Sequence, residues 1–554
     1  MSSLQYVKGN PLTGFKATNS NRFDQERLEY PVSPACPAIA PPSPCRPGSS
    51  ILIDGHSEGL LTEKKAHHGK ESTKGGRCTY IFAQQPAPTV DWCDVAQVTI
   101  DMLPNVALLE IFDLYVDEAW TRGWYALVHV CRKWRDIVFG SPRRLKLRLY
   151  CTNRTPVREM LYIWPALPII VLMTQPRADG ADYDPDNTIA ALEHKDRICQ
   201  FIFHKFPRSL FEKILAETQQ TFPALTHLVL VPGYTLPALP DSFLGGSAPQ
   251  LQTVSLDRIP FPGLPNLLLS ATHLVHLDLH DIPHSGYFSP EAIFTCLSAS
   301  TSLKRLYIGF KSSQSRPDQN SRRPPPPTRT LLPVLTYFKF KGASEYLEIL
   351  VARIDAPLLA WLYITFFHQV IFDTPQLAQF VDRTPKFKAY DEVQVIFSRW
   401  DVRVIGPRGF GRLGRELQLG ISCGRPDWQL LSVVQVCGSS FPQAFISIVE
   451  HLYIEWRDPE HILQEVWQDD IENSQWLELL HTFTTVKHLY ISGGFVPHIV
   501  PALQDLSGER VTEVLPNLQS LFLGTHFSEN TQERIRQFVS ARKLAGRPIA
   551  VSDW

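Results

Sequence analysis

Net charge is nearly absent from this 554-residue chain, in which 54 Lys and Arg stand against 55 Asp and Glu and leave −1 at pH 7. A surface so balanced offers no electrostatic footprint for nucleic acid or an anionic membrane, and neither is expected as a partner. Long hydrophobic runs are missing too. The longest, YIWPALPIIVLM at 162–173, contains two prolines and is too short to span a bilayer. The opening MSSLQYVKGN lacks the apolar stretch of a secretory signal. Ten cysteines are scattered without close pairs, which points to reduced thiols. A cytoplasmic or nuclear location is expected, and the sequon at Asn153 to Thr155 would then go unused.

Residues 1–95 lack hydrophobic periodicity. PVSPACPAIAPPSPCRPGSS is rich in Pro and Ser, and SEGLLTEKKAHHGKESTKGGR is polar, so neither buries enough apolar area to offset the entropy of ordering. A disordered arm is expected. Among Cys36, Cys45, Cys78, Cys93, His67 and His68 no pair is two to four residues apart, the spacing of structural zinc sites. Neither metal nor cofactor is expected.

What the chain does have begins at Leu103. Pro104 suits the start of a helix, where its missing N–H would have had no partner. Leu108, Leu109, Phe112, Tyr115 and Val116 then follow at the three-and-four spacing of one helical face. Leu127, Cys131, Trp134 and Val138 repeat that spacing in a second helix, and Val130 and Ile137 widen its stripe. A module of roughly 50 residues buries too little surface to be comfortable alone, so part of its apolar face is expected to meet a partner.

This segment resembles the F-box, by which substrate receptors of Cullin-RING ubiquitin ligases dock onto the Skp-type adaptor. The matching residues are the Leu103-Pro104 start, Leu108, Ile111 and Phe112 of the Leu-x-x-Ile-Phe core, and the signature Val130, Cys131, Arg132 and Trp134. The resemblance, with the apolar stripes, implies an adaptor surface made of Leu103, Pro104, Leu108, Leu109, Ile111, Phe112, Leu127, Val130, Cys131, Trp134 and Ile137.

Beyond it a leucine-spaced pattern recurs: Leu225, Leu228 and Leu230; Leu251, Val254 and Leu256; Leu274, Leu277 and Leu279; Leu303, Leu306 and Ile308; Leu335, Phe338 and Phe340; Leu359, Leu362 and Ile364. It returns at Val449, Leu452 and Ile454, at Val486, Leu489 and Ile491, and at Leu518, Leu521 and Leu523. Weaker copies around Phe387 with Tyr390 and Leu417 with Leu419 would fill the gap. Adjacent clear copies start 23 to 37 residues apart, the interval of a leucine-rich solenoid loosened by insertions. Helices fit between them at 289–299, 344–354, 374–384, 474–483 and 528–543, several opened by a Ser or Thr in capping position. The expected fold class is therefore α/β: a disordered arm at 1–95, a small helical F-box at 98–150, a connecting segment at 151–220, and a curved leucine-rich-repeat horseshoe at 221–554.

In such a repeat the residue between the second and third apolar positions faces away from the stack. That column reads Val229, Ser255, Asp278, Tyr307, Lys339, Tyr363, Tyr453, Tyr490 and Phe522. Tyr307, Tyr363, Tyr453, Tyr490 and Phe522 are either a contact surface for a recruited protein, since aromatics give large area at low entropy cost, or rings packing on one another across strands.

LYCTNRTPVREMLYIWPALPIIV, APLLAWLYITFFHQVIFDTPQLAQFVDRTPKFKAY and FVSARKLAGRPIAVSDW are similar to the large F-box family with degenerate leucine-rich repeats found in mushroom-forming fungi, and the likeness runs from about residue 98 to the last residue. It implies a non-catalytic substrate receptor, holding the Skp-type adaptor, through it Cullin and RING subunits, and an unknown protein substrate. A repeat scaffold outside any Cullin ligase is the alternative. Gly409, Gly411 and Gly414 spell GxGxxG, but RELQLGIS after them alternates like a strand where a dinucleotide-binding turn needs a helix. The PPPP in the insertion at 314–330 reads as a solvated loop, and the histidines of the THL, VHL, EHL and KHL tripeptides as ordinary strand positions.

Overall fold

The computed structural model describes residues 100–554 except 119–122, 141–146, 164–166, 174–182, 207, 318–328, 370, 388–390, 407–415, 424, 440, 442–445, 459–471, 507 and 525–527. The architecture below is that of the unit Ala96–Trp554. The expected disordered arm, the GxGxxG loop and the PPPP segment lie outside the described residues.

Helices α1 (Asn105–Glu118), α2 (Gly123–Val130) and α3 (Arg132–Gly140) come first. Pro104 stands just ahead of α1, and its carbonyl accepts the first helical hydrogen bond, from Leu108 N at 3.1 Å. The single second helix expected over 127–138 is broken at Cys131. There the Cys131 sulfur accepts from Trp134 N at 3.5 Å and opens α3, while Arg135 Nε donates to Val128 O at 3.1 Å near the end of α2.

Among the described residues sixteen strands then share one sheet. β1 (Leu147–Tyr150), β2 (Ile169–Met173), β3 (Ile198–His204), β4 (His227–Val231), β5 (Thr253–Asp257), β6 (His276–Ile282) and β7 (Arg305–Phe310) lie side by side in chain order. A short pair, β8 (Thr330–Leu331) and β10 (Ile354–Asp355), stands apart, and β9 (Tyr337–Gly342) and β11 (Trp361–Phe367) continue the large sheet. Next the order inverts. The chain makes β12 (Glu392–Phe397), β13 (Asp401–Gly406) and β14 (Glu416–Ser422), but β14 pairs with β11 and β12 with the following β15 (His451–Trp456). β16 (His488–Ile491), β17 (Ser520–Leu523) and β18 (Ala550–Asp553) complete it. All its neighbours are parallel except those of β13, which is antiparallel to both β12 and β14.

The leucine pattern sets this register. Leu228 lies opposite Val254, Val254 opposite Leu277, then Leu306, Phe338, Leu362 and Leu417, strand by strand. No residue of the nine clear triads is more than 3% exposed. The alternate positions are polar or half-buried apart from the covered Tyr307 and Tyr453, so one face of the sheet carries the core. The Leu417–Leu419 copy is in β14, as its spacing predicts. The other weak copy is displaced: Phe387 closes a 3-10 turn, Tyr390 is outside the described residues, and Val393 and Val395 of β12 take the core positions. The stretch 151–220, expected to connect, carries β2 and β3 of the same sheet, which starts already at Leu147. Its runs IIVLM and FIF are apolar enough for strands but lack the leucine spacing that marks the later ones.

Helices fill the crossovers: α4 (Val157–Ile163), α5 (Pro185–Leu192), α6 (Arg208–Glu217), α7 (Leu264–Leu269), α8 (Pro290–Ser298), α9 (Ser344–Val351), α10 (Pro375–Arg383), α11 (Pro426–Ser439), α12 (Asn473–Thr482), α13 (Val496–Gln504) and α14 (Glu529–Leu544). Successive ones pack on each other, α7 on α8, α8 on α9, α9 on α10, and α11 through α14 in turn. Ser289 and Ser528 cap α8 and α14 by accepting from Ala292 N and Thr531 N. At α10 the expected Thr374 makes no such bond. The carboxylate of Glu348, on α9, accepts instead from Gln376 N at 2.8 Å and Leu377 N at 2.7 Å.

That cap titrates. Burial pushes Glu348 up to about 7 from its ordinary 4.5, against the pull of the two amides, and Asp373 adds to the rise. A raised folded value means that the stabilising contribution is complete below about 4.5 and is lost as pH rises through about 7. Glu348→Gln keeps an acceptor and removes the titration. The stability of the wild type minus that of Glu348→Gln, from urea unfolding at several pH values, is expected to fall across this window with a slope of at most about 1.4 kcal/mol per pH unit. A difference that rises with pH contradicts the assignment.

Candidate interaction surfaces

In the helical module the apolar stripes of α1, α2 and α3 turn toward one another. Leu108 and Phe112 are fully buried, Leu109, Leu127, Trp134 and Ile137 nearly so, and the Phe112 and Trp134 rings lie 4.7 Å apart. These six residues, expected on the adaptor surface, are instead the module's own core. The spacing that lays them on one helical face is the same whether a partner or a neighbouring helix of the chain covers it. Of the rest, Leu103 and Cys131 are half-buried and Pro104, Ile111 and Val130 exposed. Lys133 Nζ donates to Leu103 O at 3.4 Å and ties the Leu-Pro entry to α3. Outside this core the module stays apolar: Met102, Val106, Ile111, Leu114, Tyr115, Val130 and Phe139 are 40 to 69% exposed.

On the sheet face away from the core the predicted column is continuous within each block. Val229, Ser255, Asp278, Tyr307, Lys339 and Tyr363 are partners across β4, β5, β6, β7, β9 and β11. Gln394, Tyr453, Tyr490 and Phe522 are partners across β12, β15, β16 and β17. The rings do pack on one another: Tyr453 on Tyr490 at 4.2 Å and Tyr490 on Phe522 at 4.4 Å, almost parallel. Tyr363 lies 5.5 Å from Tyr337, and its hydroxyl donates to Glu416 Oε2 at 3.1 Å. Tyr363, Tyr490 and Phe522 stay half-exposed, whereas Tyr307 and Tyr453 are covered.

Tyr307 is covered by its neighbours. The His280 ring meets it at 4.1 Å and Lys339 Nζ sits 5.0 Å above it, while Arg305 bonds Asp278 Oδ1 at 3.1 Å and lies over Tyr337 at 4.4 Å. Burial holds His280 down to about 4, with the Lys339 charge adding to it, so at pH 7 this imidazole is neutral. Burial also pushes the thiols of Cys151 and Cys437 up to about 12, which keeps them protonated and unreactive. Among the described residues no group of His, Cys, Asp and Glu is placed to hold a metal, and no helix is long and apolar enough to cross a membrane. The strands flanking the GxGxxG loop, β13 and β14, are antiparallel neighbours, so no βαβ turn surrounds it.

Two residues with structural consequence went unread in the sequence. Arg542 on α14 is fully buried and donates to three carbonyls, and Trp554 folds back onto Tyr453 and Tyr490. Neither has a local pattern that announces it. No protein-family model matches the chain, and no curated protein matches it.

Proposed function

We propose that the chain is the substrate-receptor subunit of a Skp-Cullin-F-box ubiquitin ligase, with α1–α3 as an F-box and the sheet with its helices as a curved leucine-rich-repeat solenoid. The strands support the solenoid: they stack in register with one apolar face, and their crossover helices pack in succession. The observation that carries the adaptor is that α1–α3 remain apolar outside after their core is complete, at Ile111 (40% exposed) and Val130 (56% exposed) among others. The protein itself is non-catalytic. Holding a target beside the conjugating enzyme raises the local concentration of its lysines, which needs no active site here.

Affinity purification of the full chain followed by mass spectrometry tests it. The wild type is expected to bring down a Skp-type adaptor and a Cullin; Ile111→Arg with Val130→Arg is expected to lose both, at least tenfold, with an unchanged melting temperature. Tyr363→Ala with Tyr490→Ala is expected to keep the adaptor and lose the target. Adaptor without Cullin would favour a repeat scaffold outside the ligase, and neither would end the F-box reading.

A further inference from the structure

β18 differs from every other strand of the sheet. All four of its residues are exposed, Val551 to 41% although it lies opposite the buried Leu521. Its attachment is backbone pairing to β17: Ala550 N donates to Gln519 O and Trp554 N to Leu523 O, each at 2.9 Å. With no side chain of its own buried, such a strand sits at the low end of local stability. Ile549, just before the strand, packs against the core, and within residues 550–554 it is Trp554 whose side chain makes ring contacts. Two residues beyond Ser552, the partner of Phe522, it shares the face of the ring stack, and its indole lies 6.0 Å from Tyr453 and 5.7 Å from Tyr490.

We infer that the edge of β17, with the Tyr453, Tyr490 and Phe522 stack beside it, is a docking site for an extended peptide segment carrying an aromatic side chain, and that residues 550–554 are its resident occupant. The occupant displays what the site takes: main-chain hydrogen bonds along β17 fix direction and register, and a ring beyond the strand lands on the stacked tyrosines. A target segment of the same chemistry displaces it, and until then the Trp554 ring rests on Tyr453 and Tyr490. This deepens the substrate-facing reading of the stripe, but its probe needs neither adaptor nor target, so its failure leaves the adaptor proposal standing.

The probe is a synthetic peptide with the sequence of residues 548–554, PIAVSDW, titrated by fluorescence anisotropy against the full chain and against the chain lacking residues 550–554. Binding to the shortened chain is expected to be at least tenfold tighter than to the full chain, and the peptide with Trp554→Ala is expected to lose at least tenfold. Equal binding to both chains, or none to a shortened chain that melts as the wild type does, overturns the inference. Hydrogen exchange on the intact chain decides it if the shortened chain does not fold. The amides of Ala550 and Trp554 are expected to exchange at least a hundredfold faster than those of Ser520 and Gly524, which bond to Lys487 O and Ile491 O inside the sheet. Equal protection would mean that the strand does not lift on its own.

Discussion

Arg542→Ala is expected to unfold the last turns of the array while the rest of the sheet stands. The guanidinium is fully buried on α14, and Nη1 donates to Val511 O at 3.0 Å and to Leu515 O at 3.3 Å while Nη2 donates to Leu518 O at 3.2 Å. All three carbonyls belong to the segment that leads into β17. Leu515 has φ 51°, a left-handed backbone that costs a leucine about 1 to 2 kcal/mol and therefore needs its surroundings to hold it. One planar fork reaching three oxygens does so; lysine, with a single nitrogen, does not replace it. Truncation leaves a cavity and takes the arginine's donors from Val511 O and Leu518 O, while Leu515 O keeps its bond from Leu518 N at 3.1 Å. Each orphaned carbonyl costs about 1 to 3 kcal/mol, offset in part by release of a desolvated charge, so a net loss of about 4 kcal/mol is expected with the cavity included. Arg542→Met keeps the volume and separates the two losses. Urea unfolding gives the magnitude, and hydrogen exchange gives the place: amides of β16 and β17 are expected to lose protection while those of β5 and β6 keep theirs. Uniform loss along the whole sheet, or a cost below about 1 kcal/mol, contradicts this role.

The repeats were legible because their code is short and one-sided. A run such as His488–Ile491, HLYI, sends Leu489 and Ile491 into the core and leaves His488 and Tyr490 on the other face, and the next run, SLFL, pairs with it residue for residue. Period two and one buried face fix a register, which is why the sequence alone aligns Tyr453, Tyr490 and Phe522 in one column. Where strands depart from that code the sequence is silent. Val393 and Val395 of β12 and the reversed β13 build part of the sheet from valines, and nothing local marks that β14, rather than β12, continues from β11. The Glu348 carboxylate reaches amides 28 and 29 residues away, and Arg542 reaches carbonyls 24 to 31 away. Such bonds follow from tertiary packing, and a linear pattern carries no trace of them.

The helical module is the sharper case, because there the pattern picks out apolar positions whose expected direction, toward an adaptor, is not the one six of them take. Phe112→Ala is expected to cost the module about 3 to 5 kcal/mol, the usual loss for a fully buried aromatic. Its ring has no exposed surface and rests on Trp134, which is 9% exposed and whose indole Nε1 has no hydrogen-bond partner. Trp134→Ala is expected to lose as much, while Trp134→Phe keeps most of the packing and removes the unsatisfied N–H, so its cost should stay below about 1.5 kcal/mol. A module of roughly 50 residues has little stability to spare, and either alanine variant should therefore release any adaptor by melting α1–α3 rather than by trimming a contact. Proteolysis separates the two causes. In Phe112→Ala and Trp134→Ala the region around residues 103–140 should be cut readily while the sheet resists, whereas Ile111→Arg with Val130→Arg, exposed in the folded module, should be as resistant as the wild type. If Phe112→Ala instead remained resistant and lost only the adaptor, Phe112 would have to reach the partner, and the helices would have to repack on binding to let it out.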